Sequence, residues 1–129
     1  MHRYTVWKER VISSAHNLRN YKGRCEKLHG HNWRVRVSVS GNHLDEAGML
    51  IDFADLGRVM EEVCGRLDHI YFNETAPFDD MNPSAENIAR HIFEEVDARL
   101  KDERYGVSEV KVWESDGCCA IYKACSEGG

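Results

Sequence analysis

Residues 25–31 read Cys-Glu-Lys-Leu-His-Gly-His. A thiol is followed by two imidazoles at i and i+2, and a third imidazole, His16, stands upstream in Ser-Ser-Ala-His. In extended backbone, side chains at i and i+2 leave the chain on the same side, so His29 and His31 can close on one metal ion without strain. Three neutral imidazoles leave one corner of a tetrahedral Zn²⁺ open, and an open corner is what separates a catalytic zinc from a structural one. Imidazole also suits copper, iron and nickel, so the residue types alone do not choose the metal. Cys25 is either a fourth ligand that closes the sphere or a free acid or base beside it, and composition leaves both readings open.

Two further groups could join such a site. Asp68-His69 follows a helical stretch directly, and an aspartate beside a histidine can hold the ring in one tautomer and stabilise its charged form, a pair suited to proton transfer near neutral pH. Unless it faces the metal, the pair is simply two solvated side chains. Glu114 shares the parity of Val110 and Val112, so its carboxylate either ends a strand in solvent or points inward, where it needs a partner. A flat ligand edge with two adjacent N–H donors would satisfy both of its oxygens. Arg10, Arg24 and Lys27 are cations that could receive a phosphate, two of them flanking Cys25. His2, His43 and His91 read as a terminus, a polar turn and a helix position, not as ligands.

The elements that must position these groups follow from periodicity. Residues 3–14 and 33–41 read as strands, the second with Trp33, Val35, Val37 and Val39 on an apolar side and Arg34, Arg36, Ser38 and Ser40 on a wet one. After a turn-rich stretch from Gly41 to Gly48, Met49, Leu50 and Ile51 read as extended. A helix begins near Asp52 with Leu56, Val59, Met60, Val63, Cys64 and Leu67 as its apolar stripe, and a second spans roughly 84–100 with Ser84 as its cap. Strands near 107–115 and 118–124 flank the turn Asp116-Gly117. The order ββααββ predicts an α+β domain, residues 1–129, with two helices on one face of a four-stranded antiparallel sheet. Its two open edges invite a closed homo-oligomer.

The totals bound the function. The chain has 129 residues, 42% hydrophobic and 30% charged, which fits one soluble globular domain. A formal charge of −5 argues against a nucleic-acid partner, since affinity for a polyanion comes mostly from Lys and Arg. No apolar run is long enough for a membrane span and no secretory leader is visible, so a cytoplasmic protein is expected. Five cysteines without a secretory signal argue against a disulfide framework. Cys64 falls on a helix stripe, and Cys118, Cys119 and Cys125 read as buried or half-buried thiols.

Taken together, Ser-Ala-His-Asn-Leu (14–18), Cys-Glu-Lys-Leu-His-Gly-His-Asn-Trp (25–33), Gly-Met-Leu-Ile-Asp-Phe-Ala-Asp-Leu (48–56), Leu-Asp-His (67–69), Asn-Pro-Ser-Ala-Glu-Asn (82–87) and Val-Trp-Glu-Ser (112–115) resemble the 6-pyruvoyltetrahydropterin synthase superfamily nearly end to end. The three-residue gap between Cys25 and His29, and Asp52, look like the bacterial queuosine-pathway branch, 6-carboxytetrahydropterin synthase. The resemblance implies a tunnelling fold in which trimers form a twelve-stranded barrel and stack into a homohexamer. It implies that His16, His29 and His31 hold zinc, that Cys25, Asp68 and His69 move protons, and that Glu114 anchors the ring of a pterin triphosphate, 7,8-dihydroneopterin triphosphate. Ser84 lies in the pterin-side loop, where Ser84-Ala85 replaces a more usual Thr-Ser. Two alternatives are a synthase that stops after triphosphate elimination and a zinc- or pterin-binding module without turnover.

Overall fold

In a computed structural model of the chain, residues 3–125 are described; His2 lies outside them. The element order is β1 (Tyr4–His16), β2 (His29–Gly41), α1 (Phe53–Cys64), α2 (Ala85–Arg99), β3 (Tyr105–Ser115) and β4 (Cys118–Lys123). The strands form one antiparallel sheet in the order β1-β2-β3-β4. Asp116-Gly117 makes the tight connection expected between β3 and β4.

Period-two alternation decides which face is which. Trp33, Val35, Val37 and Val39 of β2 are wholly buried, as are Val110 and Val112 of β3, and the helices cover that face. Helix α1 packs on β1, α2 packs on β3 and β4, and the helices touch each other. Leu56, Val59, Met60, Val63 and Cys64 form the buried stripe of α1; Ile88, Ala89, Ile92 and Val96 form that of α2. Burying such side chains at ~25 cal/mol per Å² is the main favourable term holding the layers together. Asp52 caps α1 by accepting the Ala54 N–H, and Ser84 caps α2 by accepting the Asn87 N–H at 3.2 Å.

Several expectations need correction. Both leading strands are longer than the alternation suggested, since β1 runs to His16 and β2 starts at His29, which carries the histidines into the sheet. Met49 to Ile51 form no strand; Leu50 and Ile51 are buried bends within the main core, and the Leu50 carbonyl accepts from the distant Arg104 guanidinium at 3.2 Å, so hydrophobicity there marks the core and not a ladder. The other face of β2 is not wet throughout, because Ser38 and Ser40 are buried and Ser40 Oγ bonds Thr5 Oγ1 and Ser108 Oγ. Helix α1 stops at Cys64 and a 3₁₀ turn, Gly65–Leu67, carries the last apolar position. Cys118 and Cys119 are exposed on β4, an edge strand of the sheet, and Cys125, past the end of that strand, is exposed as well. Among the described residues no helix is long and apolar enough to cross a membrane.

Candidate metal centre

Strand register builds the centre. In the β1–β2 ladder His16 pairs with His29 and Ser14 with His31, and paired residues project to the same face. Three rings from one corner of the sheet therefore converge on the helix side: centroids lie 4.6 Å apart for His16 and His29, 5.1 Å for His16 and His31, and 4.8 Å for His29 and His31. Trp33 forms the floor, edge-on to His16 at 4.7 Å and to His31 at 4.8 Å, with its indole N–H donated to the Ser14 carbonyl at 3.0 Å.

The nitrogens are set up for a cation. His16 Nδ1 lies 2.7 Å from the Pro83 carbonyl oxygen, and His29 Nδ1 lies 2.8 Å from that of Lys27. A carbonyl can only accept, so each Nδ1 carries the proton and each Nε2 is left a bare lone pair. Those two Nε2 atoms are 3.1 Å apart. Two acceptors face to face at that distance repel unless a positive charge lies between them. His31 Nε2 is buried with no hydrogen-bond partner. Burial, chiefly, holds the His31 ring below its ordinary range, Glu114 opposes this, and His16 and His29 reinforce it, so the ring is kept in the neutral form that binds metal. One donor atom from each of the three residues falls within 4.8 Å of the others, so the cluster can hold a metal ion.

Around the triad stand two of the expected groups. Glu114 lies where the β3–β4 register shifts between Trp113 and Ser115, and its carboxylate, in phase with the buried Val110 and Val112, stands beside the triad with Oε2 3.9 Å from His31 Nε2. The Asp68-His69 segment is clipped to the outer edge of β1: Ser13 N–H donates to Asp68 Oδ1 at 2.8 Å, His69 N–H donates to the Ser13 carbonyl at 2.7 Å, and Ala15 N–H to that of Ile70 at 3.0 Å. Asp68 Oδ1 also lies 3.0 Å from His69 Nδ1, whose ring is 81% exposed. The Ser13 N–H, ahead of His69 and Arg10, holds the Asp68 carboxyl below the usual carboxylate range. His69 has φ +57°, a left-handed backbone that a non-glycine residue adopts only when its surroundings enforce it. His69 and His31 line one shallow hollow with Ser13, Gly30 and Asn32.

Residues 5–125 match the sequence profile of the family described as 6-pyruvoyl tetrahydropterin synthase. The chain belongs to that family. A Synechocystis relative named 6-carboxy-5,6,7,8-tetrahydropterin synthase is 34% identical over 125 residues, 92% of either chain. Human 6-pyruvoyl tetrahydrobiopterin synthase is equally similar, 34% over 119 residues, covering 88% of this chain and 79% of the human one. The solved structure of Caenorhabditis elegans 6-pyruvoyl tetrahydropterin synthase superposes with a TM-score of 0.83 over 97% of this chain and 98% of that one; at 22% identity it speaks for the fold, the tunnelling fold.

Within this family framework the remaining residues divide. Cys25 is exposed and stands outside the donor cluster of the three histidines. Its loop is held by the Glu26 N–H to the Leu18 carbonyl, by the Leu18 N–H to Glu26 Oε1, and by the Arg24 N–H to the Tyr21 carbonyl. Arg24 and Lys27 are exposed on the same loop. Arg10 is not open to a phosphate, since Nε and Nη2 face Glu61 and Asp68 and Nη1 is buried. Ser84 spends its hydroxyl oxygen on the α2 cap, next to the Pro83 carbonyl that fixes His16.

Sequence reasoning missed the two carbonyls that set the histidine tautomers, and no side-chain signal could have shown them. It also missed the role of Trp33 as floor, although Trp33 is the next same-face residue after His31 and the alternation could have placed it there.

Proposed function

We propose that this chain is a zinc-dependent lyase that converts 7,8-dihydroneopterin triphosphate and water into 6-carboxy-5,6,7,8-tetrahydropterin, acetaldehyde and triphosphate, a step of queuosine and 7-deazapurine biosynthesis. The carrying observation is the pair of Nε2 lone pairs at 3.1 Å beside the unpartnered His31 Nε2, a three-imidazole set with the chemistry of an open zinc site. His16, His29 and His31 would hold the ion. When bound, zinc supplies Lewis acidity toward an alcohol oxygen of the substrate side chain.

The protein groups supply the rest. Glu114 accepts the two adjacent N–H donors of the amino-pyrimidinone edge and so fixes the ring relative to the triad. Cys25, as thiolate with Arg24 and Lys27 nearby in sequence, takes the proton from the side-chain carbon. Asp68 orients His69, which returns or relays a proton on the opposite side. Arg24 and Lys27 receive the triphosphate, and Ser84 borders the pterin. Oxidation of the side chain balances reduction of the ring, so no redox cofactor enters.

The edge of β4 and the part of the β1 edge ahead of Ser13, where the Asp68–Ile70 segment is not clipped, suit a barrel closed between subunits, and in this reading trimers pair into a homohexamer. The enzyme would work in the cytoplasm on a small molecule, with no nucleic-acid or membrane partner. Incubation of the zinc-loaded protein with 7,8-dihydroneopterin triphosphate, followed by mass analysis, tests the reading. Acetaldehyde and the 6-carboxyl product are expected. A 6-pyruvoyl product without acetaldehyde would instead assign elimination alone, and zinc and pterin binding without turnover would make the chain a binding module.

A further inference from the structure

Arg10 is a cation on the wrong side of its strand. On β1 it shares parity with Ile12, Ser14 and His16, all facing the helix layer, and it pairs with the wholly buried Val35. A guanidinium placed there needs anionic partners. It has two: Nε lies 3.2 Å from Glu61 Oε2 and Nη2 lies 3.4 Å from Asp68 Oδ2. The two contacts are unequal, because the Glu61 side chain is 65% exposed and that of Asp68 only 20%. An exposed pair contributes little, so the Asp68 contact is the consequential one. Cys64 is no third anion: burial pushes its thiol up to about 12 against the pull of Arg10, and it stays neutral.

Both carboxylate oxygens of Asp68 are thereby spoken for. Oδ1 takes the Ser13 N–H and faces His69 Nδ1, while Oδ2 is held by Arg10. A carboxylate tethered through one oxygen can still turn about its last torsion, whereas one tethered through both presents a fixed lone pair. His69 is the group that feels the difference, since its ring is largely in solvent and Asp68 is its charged partner.

We propose that Arg10 is a positioning residue for the Asp68-His69 pair: it pins Oδ2 so that Oδ1 is aimed at His69 Nδ1, which keeps the proton on Nδ1 and leaves Nε2 as the nitrogen that exchanges protons. The catalytic consequence rests on the lyase reading above; the tautomer does not. The structural arm is therefore separate from turnover. Side-chain ¹⁵N spectra of the full chain at about pH 8, above the ordinary imidazole range, with His69 assigned by loss of its signal in His69→Gln, should show the Nδ1–H form in the wild type. Arg10→Gln should move His69 toward the Nε2–H form that free imidazole side chains favour, and Glu61→Gln should not.

The kinetic arm uses 7,8-dihydroneopterin triphosphate. Arg10→Gln should lower kcat by ~10- to 100-fold, the range typical of losing a group that orients a site residue, with KM and zinc content unchanged. Arg10→Lys should recover part of kcat, and Arg10→Gln should cost nothing further in an Asp68→Asn background. If Arg10→Gln does not fold, Arg10→Lys carries the same spectral test, with a tautomer shift intermediate between wild type and free imidazole. An unchanged His69 tautomer in these variants, or a loss from Glu61→Gln as large as from Arg10→Gln, overturns the proposal. A wild-type protein that fixes the tautomer yet does not turn over the triphosphate would sink the lyase reading and leave Arg10 as assigned.

Discussion

Cys25 and His29 are near neighbours in sequence and belong to two different kinds of structure. The triad stands on paired strands, and two of its rings are locked further by carbonyls from Lys27 and Pro83. Cys25 rides on a loop in which Asn20, Lys22 and Gly23 all have positive φ, and its thiol is exposed. One region is held by ladder hydrogen bonds that cannot shift singly, the other by a few clasps between Leu18 and Glu26 and between Tyr21 and Arg24. A metal needs donors fixed to a few tenths of an ångström before it arrives. In the proposed reading Cys25 is a base that must follow a carbon through a reaction, and such a group is served by a segment that can adjust.

The comparison breaks most sharply on a proposed ligand. His29→Ala should lower zinc affinity by more than ~100-fold, since losing even a partner of a ligand typically costs 10–100-fold, and metal analysis after dialysis measures it. Cys25→Ala should keep full zinc occupancy while turnover falls by ~10²- to 10⁴-fold, the usual worth of a general base. If zinc is lost along with activity in that variant, the thiol is a ligand and the division between the two regions fails.

Ser84→Ala tests how far the rigid region extends. The cap it removes is worth ~1 kcal/mol, so the melting temperature should fall by about 3–6 °C. Because Pro83 adjoins it, zinc affinity should weaken slightly as well. A rise in KM with stability unchanged would give the hydroxyl a substrate contact instead.

The smallest effect lies away from the centre. Burial lowers the His91 pKa, Glu95 and Glu94 oppose this, and the ring packs edge-on to Phe78 at 5.2 Å. A histidine held neutral in the fold binds its proton more readily when unfolded, so stability present above the ordinary imidazole value, about 6.5, is lost as pH falls below it. Urea midpoints between about pH 7 and pH 5 should drop less in His91→Gln than in the wild type. Equal slopes would mean that His91 contributes nothing to the acid limb.

Much of this molecule could be read from the chain alone. Alternation in β2, the apolar stripes of both helices and the caps at Asp52 and Ser84 are local signals, and local signals survive translation into structure because backbone geometry sets their period. The triad was legible for the same reason: His29 and His31 share a face in any strand. What the chain could not display is register. Pairing His16 with His29, bringing Glu114 beside His31, burying Leu50 and Ile51 without a strand, and laying Asp68 between Ser13 and Arg10 all join residues far apart in sequence. Such contacts depend on how separate elements dock, which is fixed by the packing of the whole core and not by the spacing within any one segment.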